Sequence, residues 1–171
     1  MTTSGVEQIA YRAPPYMSPF VLPSLLPSAD NISFMDSSFF VREDPQLPTP
    51  TEVRQAAGTN YRGGRPPPVI FQSLNLLVKY GSAITIAEGQ CLWAIRRLAP
   101  AVPVPEVYGW RRDKCEAFIS MQMVEGITLE ECWPDLTVEN RLGICKQLHY
   151  IVDSLRQLRQ DPTDQFIGEL F

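Results

Sequence analysis

Hydrophobic and polar positions along this chain fall into two regimes, with a change after residue 48. Before it, apolar residues are broken up by proline at 14, 15, 19, 23, 27, 45 and 48. A chain so interrupted cannot hold a long helix, and residues 1–48 read as an extended, partly ordered or disordered arm. Within it, Asp30 to Val41 suggests one short helix. After it, the pattern becomes regular. Thr49-Pro50-Thr51-Glu52 combines an N-cap threonine, a proline at the first helical position and a glutamate at the third, and predicts a helix that Gly58 stops after two turns. GTNYRGGRPPP, residues 58–68, is a loop.

Val69-Ile70-Phe71 and Leu76-Leu77-Val78-Lys79 then read as two strands of a hairpin, joined by Gln72 to Asn75 and broken at Tyr80-Gly81-Ser82. Thr85-Ile86-Ala87-Glu88 has the spacing of a capping box. Ala87, Cys91, Leu92, Ile95 and Leu98 follow at helical spacing, and the helix should end near Leu98, before Pro100. Val107 to Trp110 and Ala117 to Met123 predict a second hairpin around Arg112-Asp113-Lys114, closed off by Gly126. From Thr137 to Gln160 the period is helical again, with Val138, Leu142, Cys145, Leu148, Val152, Leu155 and Leu158 on one face and Ile144 and Ile151 widening it. The order strand–strand–helix–strand–strand–long helix predicts an α+β fold, a small antiparallel sheet with one packed helix.

Composition narrows the classes. At 171 residues with 44% hydrophobic positions, one ordinary domain can bury a core. A net charge of −4 argues against a nucleic-acid partner. No apolar run approaches the ~18 residues of a membrane span, and no basic leader precedes one, so neither a membrane nor a secretion route is expected. Four separated cysteines without a CxxC pair, and a single histidine, predict free thiols in a reducing, cytoplasmic setting and no zinc site.

The chemistry centres on Lys79. It ends an apolar strand, where an ammonium needs a partner or an exit to water. Glu88, nine positions on, stands in the first turn of the next helix and can supply that partner. The pair could hold the lysine at the open edge of the sheet, aimed at a phosphate. The commoner roles are humbler: a strand-end lysine that reaches solvent and a glutamate that only caps its helix.

The run LLVKYGSAITIAEGQCLWAIRR, with VPVPEVYGW and FISMQMVEGITLEECW after it, resembles the N-terminal lobe of the aminoglycoside phosphotransferase family, of protein-kinase-like fold, and most closely its fungal members. The resemblance covers roughly residues 47–171. It implies a small lobe at 49–126 and a hinge exit with a long helix at 127–171. It also implies ATP or GTP with Mg²⁺, and a small-molecule acceptor. Under it, Lys79 contacts the nucleotide phosphates and Glu88 orients it. Met121 takes the gatekeeper place, and Gln122, Met123 and Val124 take that of the hinge, whose backbone binds adenine. Gly63 and Gly64 are the candidate phosphate loop, although they do not make GxGxxG.

Phosphoryl transfer also needs a base and metal ligands. The family draws these from a His-Gly-Asp loop and a later aspartate, and neither is found here. Asp135 and Asn140 have the right spacing but lack the histidine and glycine, and read as helix-start residues. Asp161 and Asp164 read as a turn, and His149 as a mid-helix packing or surface residue. The chain therefore reads as the small lobe and first linker of a phosphotransferase, catalytically inactive as given: a truncated product, an incomplete gene model or a remnant. The rival reading is a non-catalytic, pseudokinase-like interaction module, self-associating through the long apolar helix.

Overall fold

The computed structural model describes residues 26–58 and 66–159. Five strands form one antiparallel sheet: β1 (Asn31–Ser33), β2 (Val69–Phe71), β3 (Leu76–Gly81), β4 (Val107–Asp113) and β5 (Glu116–Gln122), in the spatial order β1-β4-β5-β3-β2. Four α-helices accompany it: α1 (Pro50–Ala57), α2 (Ile86–Leu98), α3 (Leu129–Cys132) and α4 (Val138–Arg156). The α+β class and both hairpins are as the sequence predicts. Residues 72–75 make the first hairpin connection, with Asn75 left-handed at its end.

Each face of the sheet carries its own core. On β3, Leu76, Val78 and Tyr80 point to one face, where Phe118 of β5 and Tyr108 of β4 join them. Val53 of α1 and Phe39 and Leu47 of the N-terminal segment cover that face. On the other face lie Val107, Trp110, Ala117, Ile119 and Met121, with Leu77 beside them. Ile86 of α2 and Phe34 cover this second face. A bulge between Val107 and Gly109 resets the alternation of β4, which is why Val107 and Trp110, three positions apart, share a face.

Several sequence expectations need correction. Asp30 to Val41 is not a helix. Asn31–Ser33 pairs with β4 as an edge strand, and only Ser38–Val41 forms a short 3₁₀ turn. The arm from Pro27 on is part of the fold, so the sheet has cover on both faces rather than one packed helix. The Thr49–Glu52 box closes as predicted, with both reciprocal bonds present. Thr85 is the N-cap of α2, yet its side chain makes no capping bond, and Glu88 reaches Lys79 instead. The buried face of α2 is also rotated from the expected one. Cys91 and Ala87 are exposed, while Ile86, Gly89 and Ala94 are buried. Periodicity placed the apolar Cys91 inside. The sheet instead selects the stripe through Gly89, because only a residue without a side chain fits against Trp110 there.

The predicted 137–160 helix runs from Val138 to Arg156 behind a Thr137 cap, about 28 Å of helix. None of its side chains is buried among the described residues, and Val138, Leu142, Leu148 and Val152 are exposed. No described helix is long and apolar enough to cross a membrane.

Candidate functional site

Lys79 sits near the end of β3 on the α2 face of the sheet. Its cross-strand partner is Ile119 of β5, and the partner of Ile119 on β4 is Trp110. One rung along, Leu77 pairs with Met121, which pairs with Val107. Directly paired residues share a face. The lysine and Met121 are therefore diagonal neighbours on one surface, with Met121 4% exposed and Lys79 half-exposed.

Glu88 enters this surface from the first turn of α2. Its Oε2 lies 3.4 Å from Lys79 Nζ, with the two side chains 32% and 42% exposed. A pair this wet adds no more than about 1 kcal/mol to stability, so it contributes little to holding the fold together. It leaves a half-exposed ammonium on the α2 face of the sheet, with donors still available to an anion.

The hinge candidates follow directly from β5. Gln122 is held twice by Glu106, which precedes β4. Its N–H donates to the Glu106 carbonyl at 2.8 Å, and its Oε1 accepts from the Glu106 N–H at 3.3 Å. Met123 N–H donates to the Asn75 carbonyl at 3.2 Å, tying the exit of β5 to the start of β3. Val124 is 70% exposed, and its backbone groups have no hydrogen-bond partner among the described residues. Of the three, Val124 is the residue whose N–H and C=O are open to a ligand. The Oδ1 of Asn75 is buried beside this segment, also without a described partner.

The predicted residues thus divide. Lys79, Glu88 and Met121 come together on one face, and Gln122, Met123 and Val124 continue from its margin. Gly63 and Gly64 lie outside the described residues, as do Asp161 and Asp164. The Asn140 N–H donates to Thr137 Oγ1, so Asn140 is a helix-start residue as expected, whereas Asp135 ends a 3₁₀ turn ahead of that helix instead of starting it. His149 is exposed and pairs with Asp153 at 3.1 Å, one turn along α4. Among the described residues no group of His, Cys, Asp and Glu could hold a metal ion.

Sequence reasoning passed over Glu106, Asn75, Gly89 and Gln90. Glu106 and Asn75 act through partners distant in the chain and carry no local signal. Gln90 had one: with Trp93 and Arg97 it forms a polar and aromatic stripe at helical spacing on α2.

No protein-family model, no curated protein and no solved structure matches this chain.

Proposed function

We propose that this chain is the nucleotide-binding small lobe of a phosphotransferase similar to the aminoglycoside phosphotransferases, in which ATP or GTP lies along the Lys79–Glu88 edge. The observation that carries the reading is the Lys79–Glu88 ion pair beside Met121 on one face of the sheet, with the open backbone of Val124 where the chain leaves β5. A cation held by a carboxylate supports a role at the nucleotide phosphates. An unpaired N–H and C=O at the end of β5 support a role at a base edge. Lys79, Glu88 and Val124 would supply phosphate neutralisation and orientation. The base for the acceptor hydroxyl and the Mg²⁺ ligands would come from a further lobe, so the proposed activity of this chain by itself is binding without turnover, in a cytoplasmic setting.

Calorimetric titration with MgATP tests the reading. Half a cleft should bind weakly, with Kd on the order of millimolar. Lys79→Ala should remove that binding while leaving the melting temperature in place. Equal heats from the wild type and Lys79→Ala would refute it. Incubation with MgATP and a panel of amino sugars, choline-like amines and sugars should give no phosphorylated product.

One observation favours the second reading, a non-catalytic interaction module. Among the described residues α4 buries nothing and shows an apolar stripe to solvent. Light scattering after size-exclusion chromatography separates the two. A monomer at all concentrations that exposes little apolar surface to a hydrophobic dye counts against the module.

A further inference from the structure

Consecutive helical residues project about 100° apart. At the start of α2 this sends three neighbours in three directions. Glu88 meets Lys79. Gly89 lies on Trp110, so closely that a Cβ there would stand 2.9 Å from Cε3 of the indole. Gln90 turns to the N-terminal segment, where its Nε2 donates to the Pro27 carbonyl at 2.8 Å. The contact of Gly89 sets the height of the helix over the sheet, and the bond of Gln90 sets its rotation. Both bear on where Glu88 ends up.

The N-terminal segment follows α2 beyond that point. Phe34 stacks on Trp93 with ring centres 6.0 Å apart, and Asp36 pairs with Arg97 at 2.7 Å. Gln90, Trp93 and Arg97 occupy positions i, i+3 and i+7 of a helix, so residues 27–36 run along a single stripe of α2. The same segment grips the sheet. Trp110 Nε1 donates to the Ala29 carbonyl at 2.9 Å, Phe34 meets the Trp110 ring edge-on at 5.1 Å, and β1 pairs with β4. The segment is thus bonded to the helix that carries Glu88 and to the indole on which that helix rests.

We infer that residues 27–38 are a strap that positions α2, and that Gln90 and Trp110 are positioning residues for the Lys79–Glu88 pair. The consequence for nucleotide binding rests on the proposed function. The positioning itself does not. The far end of the strap is held at a cost. Ser37 Oγ and Trp93 Nε1 are both buried without a partner, beside a cleft of about 280 Å³ lined by Phe34, Ser37, Trp93 and Arg96. Unpaired buried groups favour release into water. Displacing the strap would take Glu88 from Lys79 and weaken the grip on phosphate.

A zero-length carbodiimide joins an amine to a carboxylate in direct contact, forming an amide while the reagent takes up the water as a urea. Peptide mass spectrometry of the full chain then reads the Lys79–Glu88 cross-link directly. Gln90→Ala removes the tie to Pro27, and Trp110→Phe removes the N–H to Ala29 while keeping an aromatic body. Each should lower the cross-link yield at least threefold with hydrogen exchange in β3 and β5 unchanged. Gln90→Arg, which keeps an N–H donor and adds no amine for the reagent to couple, should restore most of the yield. An unchanged yield in both variants overturns the proposal, as does absence of the cross-link in the wild type. A fall seen only together with lost protection of β3 and β5 overturns it too, because the variant then acts through the fold. A cross-link that behaves as expected in a chain with no MgATP binding supports the strap and removes the nucleotide reading.

Discussion

Replacing Gly109 by alanine should detach the strand that the N-terminal segment adds to the sheet. A Cβ at this position would overlap the carbonyl oxygen of Ile32 and lie 3.2 Å from Ser33 Cα and 3.1 Å from Leu47 Cδ1. Two of those three neighbours are backbone atoms of β1 and cannot rotate aside. Staying paired would require the backbone of β1 to move, at the upper end of the roughly 1–3 kcal/mol that overpacking costs or beyond it. If β1 leaves, it takes the bonds Phe34 N–H to Tyr108 and Arg112 N–H to Asp30, at about 1 kcal/mol each. Departure also uncovers Phe34, worth roughly 1.5–3 kcal/mol. Alanine recovers roughly 0.5–1 kcal/mol of backbone entropy relative to glycine. The net loss is about 2–4.5 kcal/mol, which lowers the melting temperature by roughly 4–18 °C. Urea unfolding followed by tryptophan fluorescence measures it. A Gly109→Ala protein within about 1 kcal/mol of the wild type would refute the reasoning, because β1 could then not be packed on β4 as described.

Gly89→Ala should cost less, up to about 2 kcal/mol, because overpacking against the fixed Trp110 ring is offset by about 1 kcal/mol of helix propensity; thermal melting decides. Arg54 of α1 bridges Asp113 at 2.6 Å and Glu116 at 2.7 Å over the Phe118 ring, so Arg54→Ala should lose about 1–2 kcal/mol, part of it screened by salt, in urea titrations at two ionic strengths. Glu52 accepts the Thr49 N–H, and secondly its hydroxyl, and these bonds hold its carboxyl below the ordinary carboxylate range. Its contribution is present above the unfolded value of about 4.3 and is lost as the pH falls through the lower folded value, so Glu52→Gln should flatten the acid limb of the stability profile. Leu142→Lys and Leu148→Lys on exposed α4 should stay within about 0.5 kcal/mol of the wild type in melting experiments.

What could be read from sequence followed the range of the forces involved. Helix α1 was legible because Thr49, Pro50, Glu52 and Gly58 act on their immediate neighbours. The end of α2 was legible because Pro100 restricts the residue before it. Lys79 and Glu88 could be paired in advance because a strand end and the next helix start are joined by a short connection. Strand β1 was not legible. Three residues give almost no periodicity, and their pairing depends on Gly109, far along the chain, having no side chain. The double hold of Glu106 on Gln122 was hidden for the same reason. The rotation of α2 was misread because Cys91 is apolar by type, whereas the burial of a helix is settled by the surface it meets.

The pairing of β1 with β4 also fixes an order of events during synthesis. Asn31 emerges from the ribosome about 80 residues before Arg111, its partner. At about 5–20 residues per second that is a wait of roughly 4–16 s. The pairs β2–β3 and β4–β5 are local hairpins and can close as they appear, whereas Phe34 and Phe39 have nothing to cover until the sheet exists. A segment made early is thus placed late. For those seconds its aromatic residues are the natural target of a chaperone.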